Sequence, residues 1–111
     1  MATWEDVRAA AQPLPGAEED AWCGEPLFRV GTRGFVQTAR GRVIMKLDRA
    51  HQELLFEARP EVFTPFVAGA LRWACVDLAA LDARETADLV VEAWTMVVPK
   101  KTSRPWLAEQ R

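Results

Sequence analysis

The stretch Pro26-Leu27-Phe28-Arg29-Val30-Gly31-Thr32-Arg33-Gly34-Phe35-Val36-Gln37-Thr38-Ala39-Arg40-Gly41-Arg42-Val43-Ile44-Met45-Lys46-Leu47 decides the fold. Short runs of β-prone residues alternate in it with glycine turns. Leu27–Val30 leads into Gly31-Thr32-Arg33-Gly34, Phe35–Ala39 leads into Arg40-Gly41, and Val43–Leu47 follows. Strands of this length joined by turns this short read as an antiparallel meander. The same stretch holds five bases (Arg29, Arg33, Arg40, Arg42 and Lys46) and no acid.

The flanks have the opposite sign. Residues 1–25 hold one base against six acids, and residues 48–97 hold four against nine. From Val98 the chain turns basic again, with Lys100, Lys101, Arg104 and Arg111 against Glu109. A net charge of −2 therefore conceals a segregated field, and segregation points to a charged partner more than net charge does.

Outward from the meander, Thr3 and Asp6 resemble a capping box, and Trp4, Val7, Ala10, Ala11 and Leu14 recur at helical spacing. They predict a helix over 3–12, stopped by Pro13 and Leu14-Pro15-Gly16. A further strand is expected around Ala17–Cys23. Downstream, Asp48 caps a helix reaching about Ala58 with Leu54, Leu55 and Ala58 inward. Pro60 and Pro65 then predict irregular or short helical structure. Trp73–Leu78 reads as a strand. Asp82 and Glu85 cap a last helix, whose stripe is Leu89, Val90, Ala93, Trp94 and Val97 and whose end is Pro99.

At 111 residues the chain falls in the single-domain range and needs no metal or disulfide staple. Residues 1–99 are expected to form one domain, with 100–111 a basic tail packed back through Trp106. The order of elements gives an α+β two-layer fold with helices on one face of an antiparallel sheet. No apolar run approaches the ~20 residues that span a bilayer. The N-terminus shows no basic-then-apolar secretory pattern, so a cytoplasmic protein with thiol Cys23 and Cys75 is expected.

If helices cover one face, strand alternation assigns the other. With Phe28, Val30, Val43, Met45, Leu47, Ala74, Val76 and Leu78 inward, the residues Leu27, Arg29, Ile44, Lys46, Trp73, Cys75 and Asp77 point outward. Arg33, Arg40 and Arg42 fall in turns and project from opposite ends of their shared strand. Such a face suits phosphate, because the arginine fork matches its oxygens. Exposed strands also carry Arg and Lys for solubility and to blunt sheet edges, so the residues by themselves leave both readings open.

The chain resembles the MmcQ/YjbR family of small bacterial proteins over nearly its whole length. The resemblance rests on Leu14-Pro15-Gly16-Ala17-Glu18-Glu19, Phe28-Arg29-Val30 with Gly34-Phe35, and Val43-Ile44-Met45-Lys46-Leu47. It continues through Ala58-Arg59-Pro60-Glu61-Val62-Phe63, Trp73-Ala74-Cys75-Val76-Asp77-Leu78 and Ala93-Trp94-Thr95-Met96-Val97-Val98-Pro99-Lys100. It implies a frataxin-like (CyaY-like) fold and a double-wing DNA-binding role, with no catalytic residue set to carry over. A pI near 5.4 departs from the basic character usual in nucleic-acid binders, so any DNA affinity is expected to be local and salt-sensitive.

Other chemistry finds few residues to carry it. His51 is the only histidine, and without a second histidine or a Cys-x-x-Cys pair zinc lacks ligands. Ser103, the only serine, lies in a proline-flanked tail. No glycine-rich phosphate loop occurs, so no cofactor is expected. Glu18-Glu19-Asp20 with Glu25 offers oxygens to a hard cation, and frataxin-like folds bring iron to mind, but an acidic edge is also ordinary solvation. The sequence reading is thus a non-enzymatic DNA-binding protein. Its phosphate contacts are Arg29, Arg33, Arg40, Arg42 and Lys46, assisted by Lys100, Lys101 and Arg104. The alternatives are a module that docks another protein or a second copy of itself, and a small-ligand or iron-binding domain.

Overall fold

A computed structural model describes residues 1–110. Arg111, counted above among the tail bases, lies outside the described residues. The first helix, α1 (Trp4–Ala11), begins where the Asp6 carboxylate accepts the Thr3 backbone N–H at 2.8 Å. Four strands follow as a continuous meander: β1 (Ala17–Trp22), β2 (Glu25–Val30), β3 (Arg33–Ala39) and β4 (Arg42–Met45). Then come α2 (Arg49–Ala58), β5 (Phe63–Ala68), β6 (Leu71–Val76), a 3-10 turn (Leu78–Ala80), α3 (Ala83–Thr95) and α4 (Lys100–Glu109). The strands form one antiparallel sheet in the order β1-β2-β3-β4-β6-β5. The molecule is of the α+β class. No described helix is long and apolar enough to cross a membrane.

The turns between β1 and β2 and between β3 and β4 are two residues long. Their central residues, Cys23-Gly24 and Arg40-Gly41, all have positive φ, the conformation that matches the twist of a tight hairpin. Between β2 and β3 the register shifts. Arg29 faces Gly34 and Phe28 faces Val36, so β3 carries Phe35 as an extra residue. This bulge lets Phe35 and Val36 both enter the core although they are adjacent.

Helices α1 and α3 pack on each other over one face of the sheet. Val7 and Ala11 of α1 and Val90, Ala93 and Trp94 of α3 meet Phe28, Val36, Val43, Met45, Ala74 and Val76 there. Alternation along β4 and β6 matches the sequence reading. Ile44, Trp73 and Cys75 lie on the opposite face, in a second cluster with Phe66, Leu71 and Ala39. That half of the far face is not open, however: Trp73 and Cys75 each keep only 9% of their surface. Three adjacent strands, β4, β6 and β5, bring their apolar side chains together there.

Four expectations need correction. The Pro60–Pro65 region is not irregular or helical throughout, because β5 runs through Pro65. β5 is an edge strand, where a residue lacking its N–H can sit without breaking a ladder bond. The tail, for which no secondary structure was expected above, is helical over Lys100–Glu109 with Pro105 inside it, and its Trp106 packs against the core as expected. On α2 the inward residues are Gln52, Leu55 and Phe56, whereas Leu54 is 66% exposed and Ala58 is exposed too. The buried Gln52 amide donates to the Leu47 and Arg72 carbonyls at 2.8 and 3.2 Å, which satisfies a polar group at a position normally given to an aliphatic one. Finally, Arg33 and Arg42 open strands rather than occupying turns, and β6 begins at Leu71 and ends before Leu78.

Candidate nucleic-acid interface

The antiparallel register sorts the basic residues between two ends of the sheet. The start of β3, the exit from β4 and the start of β6 share one end. There Arg33, Lys46, Arg49 and Arg72 line a depression of about 530 Å³, with Gly34, Leu71, Trp73 and Met96 among its walls and no carboxylate residue. It lies between two hairpin turns, Gly31-Thr32 joining β2 to β3 and Gly69-Ala70 joining β5 to β6. Three strand spacings separate the midlines of those hairpins, about 14 Å at the usual inter-strand distance.

Within this cleft the cations lack counter-charges. Among the described residues, Arg33, Lys46 and Arg49 have no carboxylate oxygen within 4 Å, while Arg8, Arg29 and Arg59 each do. Lys46 is half-buried. Desolvation first, and the neighbouring Arg33 charge second, push its ammonium pKa below the usual lysine value. Arg72 uses one guanidinium nitrogen on its own hairpin, with Nη1 donating to the Gly69 and Leu71 carbonyls at 2.6 and 3.1 Å. Its Nε and Nη2 donors meet no acceptor among the described residues, so the turn fixes the side chain without exhausting it.

At the opposite end, Arg40 and Arg42 line a second depression of about 470 Å³ with Ala39, Ile44, Phe66 and Cys75. Neither arginine has a carboxylate within 4 Å among the described residues. Arg42 also borders a hollow of about 550 Å³ that contains Glu61 and Asp77. That hollow has mixed charge.

Arg29 differs from the rest of its stretch. Its Nε donates to Asp20 Oδ2 at 3.0 Å, its Nη2 lies 3.6 Å from Glu18, and its Nη1 donates to the Gly31 carbonyl. The β1 acids thus occupy it, because Glu18 and Arg29 are direct cross-strand partners. The Asp20 carboxyl is held below the usual range by the Ala21 N–H and then by Arg29. Glu19 is lowered chiefly by Arg8, whose Nη2 lies 2.7 Å away. The acidic triplet therefore serves internal pairs.

Lys100 and Lys101 occupy the first turn of α4, and Arg104 lies one turn on; all three are exposed. The helix is anchored by buried Ser103 and by Trp106, whose ring meets Trp94 edge-on at 5.2 Å. Lys100 follows Met96, a wall of the first cleft, by four residues, so their Cα atoms are at most about 14 Å apart. His51 Nδ1 lies 2.6 Å from Glu92 Oε1 and joins α2 to α3. Among the described residues no group of three or more His, Cys, Asp and Glu side chains could hold a metal.

Sequence reasoning missed Arg49 and Arg72. Both lie outside the acid-free stretch, in a net acidic segment. Only the strand order, which places β6 beside β4, brings them to Lys46. The exit of β4 into α2 by way of the Asp48 cap was the one local clue for Arg49.

A comparison with curated proteins finds no match for the chain. Among solved structures, the Deinococcus radiodurans protein DR2400, described as a DUF419 domain, has a similar fold. It is 23% identical, with a TM-score of 0.76 over 95% of this chain and 88% of that one. The family model described as YjbR matches residues 12–96, a span that runs from the end of α1 to the end of α3 and includes the whole sheet. The chain belongs to the YjbR family.

Proposed function

We propose that this protein is a non-enzymatic, cytoplasmic DNA-binding protein that grips the phosphate backbone with the basic ends of its sheet. One observation carries the reading. The hairpin-end cations Arg33, Lys46, Arg40 and Arg42, with Arg49 beside them, have no carboxylate within 4 Å among the described residues, although the chain has more acids than bases. A surface built only for solubility would intersperse the two signs. Arg33, Lys46, Arg49 and Arg72 supply the main phosphate contacts between the hairpins, and Arg40 and Arg42 supply a second set. Lys100, Lys101 and Arg104 extend the field. Arg29 serves chiefly to hold β1 against β2. Backbone contact of this kind carries no sequence information by itself.

The test is fluorescence anisotropy with a labelled duplex at several salt concentrations, for the wild type and for Arg33→Ala/Arg40→Ala/Arg42→Ala. Binding at low salt that weakens at least tenfold in the variant is expected. No binding by the wild type at 50 mM salt, or equal binding by the variant, would sink the proposal.

A second reading, a protein-docking module, is favoured by Trp22. It is 66% exposed beside the β1–β2 turn, and large exposed aromatics are enriched in protein interfaces. Trp22→Ser would then abolish partner capture while leaving duplex binding unchanged.

A further inference from the structure

We propose that the cleft between the β2–β3 and β5–β6 hairpins is a discrete site for a phosphate monoester, held by Arg33, Lys46, Arg49 and Arg72. This goes beyond general attraction to a DNA backbone, because it assigns one chemical group to one place. The cleft, about 530 Å³, is of ligand-pocket size and large enough for a nucleotide.

Four cations converge on it from four separate elements: the start of β3, the exit of β4, the first residue of α2 and the start of β6. None of its lining residues is acidic. Like charges brought together with one of them half-buried oppose folding, and the protein supplies no carboxylate within 4 Å to Arg33, Lys46 or Arg49 among the described residues. An anion from outside removes that cost.

The number of donors indicates which anion. A carboxylate brings one charge and two oxygens, whereas a phosphate monoester brings ~1.5 to 2 charges and three oxygens. Arginine forks bind such oxygens in pairs, and Lys46 adds a point charge. Leu71 and Trp73 add apolar wall beside the cations. The monoester can arrive as a small metabolite or as the terminal phosphate of a nucleic-acid strand.

The site is tested with the intact protein by thermal melting in inorganic phosphate against chloride at matched ionic strength. It is tested again with a nucleoside 5′-monophosphate, and with a 12-mer carrying either a 5′-phosphate or a 5′-hydroxyl. The wild type is expected to melt at least ~3 °C higher in phosphate, on the order of 0.5 kcal/mol by the usual scaling for a domain of this size. Lys46→Met is expected to melt above the wild type in chloride and to lose the phosphate response. Arg49→Gln, at an exposed position, should lose the response too and covers the case of a misfolded Lys46 variant. Arg84→Gln, remote on α3, should respond like the wild type.

Tenfold preference for the 5′-phosphorylated 12-mer over its hydroxyl form assigns the group to a strand end. A response to the mononucleotide with none to either 12-mer assigns it to a small ester. Absence of a phosphate-specific shift in the wild type, or a shift retained by both variants, overturns the site. Duplex binding that persists without any phosphate response would reject this site and leave the DNA-binding proposal standing. A phosphate response without duplex binding would do the reverse.

Discussion

Arg40 shows how a single residue can trade stability for charge. Its φ of +52° lies in the left-handed region, which costs a side chain with a Cβ roughly 1–2 kcal/mol and which asparagine or glycine occupies more readily. Arg40→Asn is therefore expected to raise unfolding free energy by about 0.5–1 kcal/mol in a urea melt. The same change should weaken duplex binding by removing one phosphate contact. Loss of stability in that variant would mean that Arg40 makes a contact its exposed tip does not reveal. Trp94 behaves in the opposite way. It is fully buried, its Nε1 donates to the Pro15 carbonyl at 2.9 Å, and it packs edge-on against Trp106. Trp94→Phe keeps most of the apolar burial but leaves that carbonyl unmatched, so a cost of about 2 kcal/mol is expected from a shifted urea midpoint. Acid should act on Glu19 and Asp20. Both carboxyls are lowered in the folded state, so their stabilisation is present above the ordinary carboxylate range near 4 and is lost as the pH falls through their folded values. Glu19→Gln should flatten the acid limb of a stability–pH curve, and an unchanged limb would remove Glu19 from the cause.

Among the elements, those with a local rule were legible and those set by position in the sheet were not. The meander followed from its turns, and α3 followed from the Asp82 cap, whose side chain accepts the Glu85 N–H at 2.8 Å. Burial on α2 was misjudged because Gln52 is polar, and one of its two carbonyl partners, that of Arg72, comes from a segment that sequence alone does not bring near. β5 was missed because proline argues against a strand unless that strand is an edge, a property of topology. The candidate site divides in the same manner. Arg33 and Lys46 were visible as part of a charge run, whereas Arg49 and Arg72 join them through the β4–β6 pairing. Pro65 then has a consequence of its own. Edge strands with free N–H groups template association, and β5 also exposes Val67 at 59%. Pro65→Val restores an N–H and raises β-propensity, so sedimentation or light scattering should show more self-association than in the wild type. A variant as monodisperse as the wild type would mean that the edge is blunted by something other than Pro65.

For the whole molecule, the pI near 5.4 and the basic cleft are compatible because the acids lie elsewhere on the molecule and none lines the cleft. Glu18, Glu19 and Asp20 are bound to Arg29 and Arg8, Glu85 pairs with Arg59, and Glu92 pairs with His51. Charges that are already neutralised within the protein release no counterions from DNA, whereas the unpaired ones do. Each phosphate neutralised adds about −0.9 to the slope of log K against log salt, so contacts by Arg33, Lys46, Arg49 and Arg72 give about −3.6. Between 50 and 200 mM salt this amounts to a loss of affinity of roughly 150-fold. Two variants with the same nominal change in charge per residue should then separate. Arg49→Gln/Arg72→Gln is expected to reduce the slope by about 1.8. Arg29→Gln should leave the slope within error of the wild type and cost up to about 1 kcal/mol of stability through its exposed ion pairs. An equal change in slope per charge removed in the two variants would show that net charge, rather than the placement of unpaired cations between the hairpins, governs binding.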